Sequence, residues 1–383
     1  MMRLRASLLS ALVATALATP VSADSVFGIR GLGLLGRPLS ARVFSSGGAF
    51  ALFDGTSALN PAALGQLGGA AGWMSIVGTS RRFTDGPLSA SLGSTRFPLF
   101  GFATTAGRRA VVGVSIGEYL DRTWAIATTQ DTLLRDTAVT FTDNASSTGG
   151  VSDVQVGGAY RLTGAITAGL GVHFLVGSSQ LSIHRAFSLT GFSAYSEIST
   201  TEFSGLGLSA GLTARIGPRL AAAGTIRLNG SLKASSSSGA SARIALPVEV
   251  SGAVLFAPTQ TVGLAATVGY QSWSGSAADL AAAGQPGTRS VWNVSVGAEL
   301  TMVRWRGNLV PVRLGYRWRQ LPFPVVSGGT IAPLGESAVS AGLGMGLAAG
   351  RATLDVGVEL GSRSAGTARE RFTTGFVGLT VRP

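Results

Sequence analysis

Two histidines, His173 and His184, are the only imidazoles in the chain, and cysteine is absent. Two imidazoles without thiolates fall short of the ligand set of a protein metal site, so no metal is expected. His173 shares a face with Gly169 and Gly171 and is expected to point inward. Serine is spread over the whole sequence, however, and none is marked as a nucleophile beside either histidine. No catalytic residue is therefore expected. Arg313, Arg317 and Arg319 fall on one side of "VPVRLGYRWRQ" and offer an electropositive wall to a carboxylate head group or another anion. The competing reading is a structural ladder in which they pair with acids such as Asp355 and Glu359 or with nearby carbonyls. Unpaired charge in a narrow enclosure is unfavourable enough to prefer the ladder. Gly31-Leu32-Gly33-Leu34-Leu35-Gly36 has the spacing of a dinucleotide-binding loop but not the strand–loop–helix setting that such binding needs. Close approach of backbones is the plainer reading, and no cofactor is expected.

The elements that would position these residues show period two from about residue 70 onward. Val312, Leu314, Tyr316 and Trp318 alternate with Arg313, Gly315, Arg317 and Arg319. Leu354, Val356, Val358 and Leu360 alternate with Asp355, Gly357 and Glu359. The same rhythm runs through "QTVGLAATVGYQ", "SDVQVGGAYRL" and "GLGLSAGLTARI". Strict alternation over such lengths means strands with two chemically different faces. A soluble sandwich would also alternate, but these segments approach the length of a tilted membrane crossing. Their less apolar face is mostly Gly, Ser, Thr and Ala, thin cover for a solvated exterior. In lipid every backbone N–H and C=O must be paired, so such a sheet has to close. An all-β, transmembrane antiparallel barrel of about 14 strands is expected over residues 70–383. The weakest segment is 136–143, inside the polar stretch Gln130 to Gly150. Long loops are expected at 80–95, 130–150, 187–201, 234–242, 275–288 and 321–336. Trp73, Trp124, Trp273, Trp292, Trp305 and Trp318 fall near segment ends, as an interfacial belt would.

Composition and the first residues indicate where such a barrel would sit. Only 13% of residues are charged while 45% are hydrophobic, too little charge for a wholly water-exposed surface. Arg3 and Arg5, the apolar run Leu8 to Leu17 and the small residues Val21-Ser22-Ala23 predict a secretory signal peptide over 1–23. Removing Arg3 and Arg5 leaves 28 basic and 18 acidic residues, a net charge of +10. Export and scattered arginines argue against nucleic acid; lipid or lipopolysaccharide head groups or an anion-lined pore are the expected partners of the basic balance. Beyond the leader no apolar run reaches the roughly 18 residues of a helical span.

Residues 24–69 have another texture. Their stretch "SSGGAFALFDGTSALNPAALGQL" resembles the N-terminal signature of the FadL-type outer-membrane family, which includes long-chain fatty acid and hydrocarbon transporters and PorV-like barrels. The matching positions are Gly47, Gly48, Ala49 and Phe50, then Asp54, Ser57, Ala58, and Asn60, Pro61 and Ala62. "VPVRLGYRWRQLPF" and the segment from Ser337 to Arg363 are similar to C-terminal hairpins of the PorV-like branch. The resemblance implies a barrel in the bacterial outer membrane with the N-terminal segment inside the lumen as a plug. It implies barrel assembly machinery as a partner and passive uptake of a hydrophobic or amphipathic small molecule such as a fatty acid. The alternative is a non-transporting barrel that anchors a periplasmic or secretion partner. The chain departs from the pattern at its end, Arg382-Pro383, where such barrels finish on an aromatic residue; Phe372 and Phe376 are the nearest substitutes. Independently of the resemblance, Pro61 forces a turn at Asn60. The apolar neighbours of Asn60 and Pro61 also call for burial.

Overall fold

The computed structural model describes residues 25–383 apart from 87, 135, 136, 190, 306, 307, 328 and 329. The expected leader over 1–23 lies outside the described residues. A two-residue strand, β1 (Leu34–Leu35), and a short helix, α1 (Ala41–Ser45), precede the long strands. These are β2 (Ala71–Asp85), β3 (Leu88–Ala106), β4 (Ala110–Asp121), β5 (Trp124–Leu134), β6 (Thr137–Arg161), β7 (Ile166–Phe187), β8 (Tyr195–Ile216), β9 (Leu220–Asn229), β10 (Ser231–Ser236), β11 (Ser241–Ala245), β12 (Val248–Thr259) and β13 (Val262–Gln271). After a helix, α2 (Ala277–Ala282), come β14 (Val291–Trp305), β15 (Asn308–Ser327), β16 (Thr330–Leu347), β17 (Ala352–Ala365) and β18 (Ala368–Val381).

Fourteen of these strands close into an antiparallel barrel: β2, β3, β4, β6, β7, β8, β9 and β12 to β18. The seam is β18 on β2, paired from Val381↔Gly72 to Arg369↔Thr84. Except where β3 and β4 part, closure leaves no edge around the ring and satisfies the backbone groups that lipid cannot. Of the other four, β1 pairs with β4 and three are continuations. After a break at Arg122-Thr123, β5 carries β4 on along β6; β10 extends β9 along β8 after Gly230; β11 leads into β12 through Leu246-Pro247. From Thr137 on, the surplus segment at 136–143 is the first part of β6, a 25-residue strand.

The two faces of the wall separate as the alternation requires. Outward, large apolar side chains stay exposed, among them Leu206, Leu208, Val294, Leu314, Val339 and Leu360. A continuous apolar exterior of this kind is a lipid-facing surface. Inward, the same strands place Gly, Ser, Thr and the charged residues, and burial along β18 alternates strictly from Ala368 to Val381.

Three local expectations are corrected. The regions 80–95, 130–150 and 321–336 are mainly ladders, not loops, since β2–β3, β5–β6 and β15–β16 run through them. Thr, Val and Phe there favour strand, but above the lipid both faces meet polar surroundings, so the apolar contrast fades. One ion pair braces this outer part. Arg185 donates to both Asp143 oxygens at 2.6 and 2.7 Å, and these hydrogen bonds hold the Asp143 carboxyl below its ordinary range. Trp73 and Trp273 are buried inside rather than placed in a belt, whereas Trp292 and Trp318 are exposed on the outer face. Phe372 and Phe376 face the lumen, where Phe376 stacks on Phe44 at 5.5 Å, so neither presents an aromatic terminus to the exterior.

Candidate functional site

Residues 25–69 lie against the inward-facing side chains, and wall glycines make this possible. A Cβ on Gly315 would sit 2.0 Å from the Ser46 carbonyl carbon, and one on Gly169 would sit 2.3 Å from the Ala62 nitrogen. A Cβ on Gly211 would lie 1.9 Å from Asn60 Oδ1. Asn60 thus occupies a notch in β8. Its Oδ1 accepts from Ala62 N at 3.0 Å and its Nδ2 donates to Leu52 O at 2.8 Å, which caps the short 3-10 turn that Pro61 begins. Asp54 is buried and fully used, accepting from Ser40 Oγ, Thr56 N and Thr56 Oγ1 at 2.7–2.8 Å. Gly47 and Gly48 adopt φ of 66° and 97°, a region costly for other residues, and turn the chain so that Phe50 enters the cluster with Ala49 and Ala265. Direct bonds to the wall complete the seating, from Thr267 Oγ1 to Ala49 O at 2.7 Å and from Ser340 Oγ to Ser45 O at 3.2 Å. Gly315→Ala is accordingly expected to cost about 1–3 kcal/mol through overpacking. It should also loosen residues 45–48, measured as a lower unfolding midpoint and faster protease nicking in that stretch.

The wall itself is split at one place. Although β3 and β4 both continue, their ladder runs only from Ala106↔Ala110 to Leu99↔Gly117. Pro98 stands at the break, and with no N–H it cannot extend the ladder. Register shifts flank it, at Ser75/Val77 opposite β3 and at Glu118/Leu120 in β4 opposite β6. Beyond the break the free edge of β4 pairs with the N-terminal segment instead, Leu35↔Leu120 and Leu34↔Asp121, with Gly36 N donating to Tyr119 O at 2.8 Å. Gly33 and Gly36 permit this approach, since a Cβ on either would fall 2.1–2.2 Å from a β4 carbonyl oxygen. That is the role of the glycine-spaced stretch. Arg96 of β3 spans the split with ion pairs to Glu118 and, at 2.6 Å, to Asp121. Behind it is a cavity of about 80 Å³ lined by Leu34, Leu35, Val77 and Pro98 and by charged groups of both signs, Arg37 and Arg317 beside Glu118, Asp121 and Glu359.

The arginine row belongs to a ladder. Arg313 donates to Asp355 and Glu299 at 2.5 Å each; Arg317 donates to Glu359 at 2.7 and 3.2 Å and also meets Glu336. Arg319 donates to Glu336 at 2.7 and 3.1 Å, and Arg363 joins Glu336 to Glu370. Two arginines of the N-terminal segment enter the same network, Arg37 on Glu359 at 2.8 and 3.0 Å and Arg42 on Glu299 at 2.9 and 3.0 Å. Most of these groups are buried, so each charge depends on its partners rather than on water. The network pins the N-terminal segment to β14, β15, β16 and β17.

His173 lies elsewhere, on the β6–β8 side of the lumen, 1% exposed. Its Nδ1 is 2.9 Å from Asp153 Oδ2 and its Nε2 is 2.8 Å from Ser209 Oγ. Arg227 donates to Asp153 at 2.6 Å. At the end of the barrel where β9 begins, a vestibule of about 780 Å³ opens between Phe50, Phe53, Leu255, Val262, Arg215 and Arg219. Sequence reasoning overlooked Pro98 and Glu336. A proline in the middle of "TRFPLFGF" was a usable signal, because a central strand does not accept one; nothing local marked Glu336.

The sequence matches no protein-family profile and no curated protein sequence. Solved structures do match across nearly the whole chain. A Pseudomonas aeruginosa FadL homologue aligns with a TM-score of 0.64 at 13% identity, covering 91% of this chain and 99% of that one. The Ralstonia pickettii toluene transporter TbuX aligns at 0.59 and 12% identity, covering 93% and 100%. The P. putida toluene transporter TodX aligns at 0.58 and 13% identity, covering 91% and 99%. At such identities the likeness is one of architecture, and the fourteen-stranded closed wall of this chain is the FadL-type fold.

Proposed function

We propose that the protein is a passive outer-membrane conduit for hydrophobic or amphipathic small molecules, fatty acids among them, with residues 24–69 as its plug. The observation that carries the reading is the split between β3 and β4, closed by the movable-sized β1 rather than by wall. Opening it needs loss of two residue pairs, the Gly36 to Tyr119 hydrogen bond and the Arg96 ion pairs, not of a full-length ladder. A solute dissolved among lipid chains would then pass sideways toward the small cavity behind Leu34 and Leu35, where these apolar side chains adjoin the paired arginines and acids of the ladder. The similar folds of proteins described as toluene transporters support a hydrophobic solute. Export by the leader and a lipid-facing exterior support the outer membrane as the site.

The test is uptake by proteoliposomes. Vesicles holding the mature protein are expected to take up labelled palmitate or toluene faster than empty vesicles, and a disaccharide no faster. Equal rates for protein-containing and empty vesicles with both hydrophobic solutes would remove the transport reading and leave the anchoring one.

A further inference from the structure

The lumen carries a second constellation that passage of a solute does not use. Asp153, His173 and Ser209 sit on three neighbouring strands, β6, β7 and β8, and all three point inward. A carboxylate can only accept, so in the neutral ring Nδ1 carries the proton shared with Asp153 and Nε2 keeps a lone pair for the Ser209 hydroxyl at 2.8 Å. We propose that Asp153, His173 and Ser209 form a serine-hydrolase site within the barrel, acting on carboxylic esters that reach the lumen.

The surroundings are built for this chemistry. Across the β7–β8 ladder His173 faces Gly207 and Ser209 faces Gly171, while on their other sides stand Gln155 and Arg227. A Cβ on Gly171 would lie 2.7 Å from Ser209 Oγ and 2.9 Å from Gln155 Nε2, so nucleophile and amide converge on the room this glycine leaves. The Gln155 amide is the donor available to a developing oxyanion. Inward-facing Arg227, Asn229, Glu249 and Gln271, on the strands following Ser209, are half-buried rather than buried, so the lumen beside the hydroxyl is not filled. Asp153 is a positioning residue, held in turn by Arg227 at 2.6 Å.

The steps balance without a cofactor. Ser209 Oγ attacks the ester carbonyl carbon while His173 Nε2 takes its proton, and the tetrahedral oxyanion leans on Gln155. Collapse breaks the carbonyl–alkoxide bond, and His173 returns the proton to the departing alcohol. Water, deprotonated by His173, then attacks the acyl-serine; the carboxylic acid leaves and Ser209 regains its proton.

A fluorophosphonate probe and p-nitrophenyl butyrate test this on the purified mature barrel, its folding checked by heat-modifiable gel migration. The expected result is one phosphonyl group per chain, mapped to Ser209, and turnover that drops at least about 10³-fold in Ser209→Ala and His173→Gln. Asp153→Asn is expected to lower kcat while leaving KM in place, a split that a purely structural role would not produce. A folded wild-type barrel that carries no label on Ser209, or that hydrolyses the ester no faster than Ser209→Ala, overturns the proposal. The labelling result needs no variant, so a variant that fails to fold does not shelter the idea.

Discussion

Oxidising a Leu35→Cys/Leu120→Cys pair is expected to bring hydrophobic uptake down to that of empty vesicles, and reduction to restore it. The two residues are register partners between β1 and β4, and partly buried Leu35 packs against the apolar cluster that contains Leu120. Facing residues on paired strands lie within reach of a disulfide, whose Cα atoms sit about 4.4–6.8 Å apart. The natural chain holds no cysteine, so the engineered pair has no competitor. The bond would fix the N-terminal segment over the split in the wall without altering the ladder elsewhere. Because the reduced double variant keeps two small apolar side chains at these positions, it should transport nearly as the wild type does. Unchanged uptake after complete oxidation would mean that β1 stays in place during passage and that solutes travel by another route.

The largest stability effect is expected at Glu336. Its carboxylate is 2% exposed and accepts from three guanidinium groups, those of Arg317, Arg319 and Arg363. Glu336→Ala would leave three buried cations sharing fewer acids. Breaking a buried ion pair by removing one partner costs about 3–5 kcal/mol. The readout is the denaturant midpoint of the folded barrel in detergent. Arg42→Ala supplies the contrast: its side chain is 40% exposed, and an ion pair so close to solvent is worth about 1 kcal/mol or less. If the two variants unfold at the same midpoint, burial does not govern this network.

Much of the wall was legible in the sequence, because lipid imposes a contrast on every crossing segment. "RATLDVGVEL" and "VPVRLGYRWRQ" alternate so plainly that their facing and pairing follow. The reading failed where that contrast stops. The strand stretches around 80–95 and 130–150 rise beyond the apolar band, and their Thr-rich alternation looks like loop. The interior was legible in part. Pro61 and Asn60 announced a buried turn, and Arg313 and Arg317 had acids in sight at Asp355 and Glu359. Glu336, Glu299 and Glu370 complete the network through the register of neighbouring strands, which puts each opposite an arginine of an adjacent strand. Ser209 is one serine among many, and only the register of β7 on β8 brings it to His173.

The contacts of Ser25 have a consequence for how the chain is made. Its hydroxyl donates to Glu370, 345 positions later, and Arg37, Arg42 and Ser45 also find their partners beyond residue 290. Among the described residues, those made first therefore wait longest for these particular partners. The bond from Ser25 to Glu370 can form only after the final hairpin has been built. A chain cut short at its C-terminus would lose the berth for its own beginning.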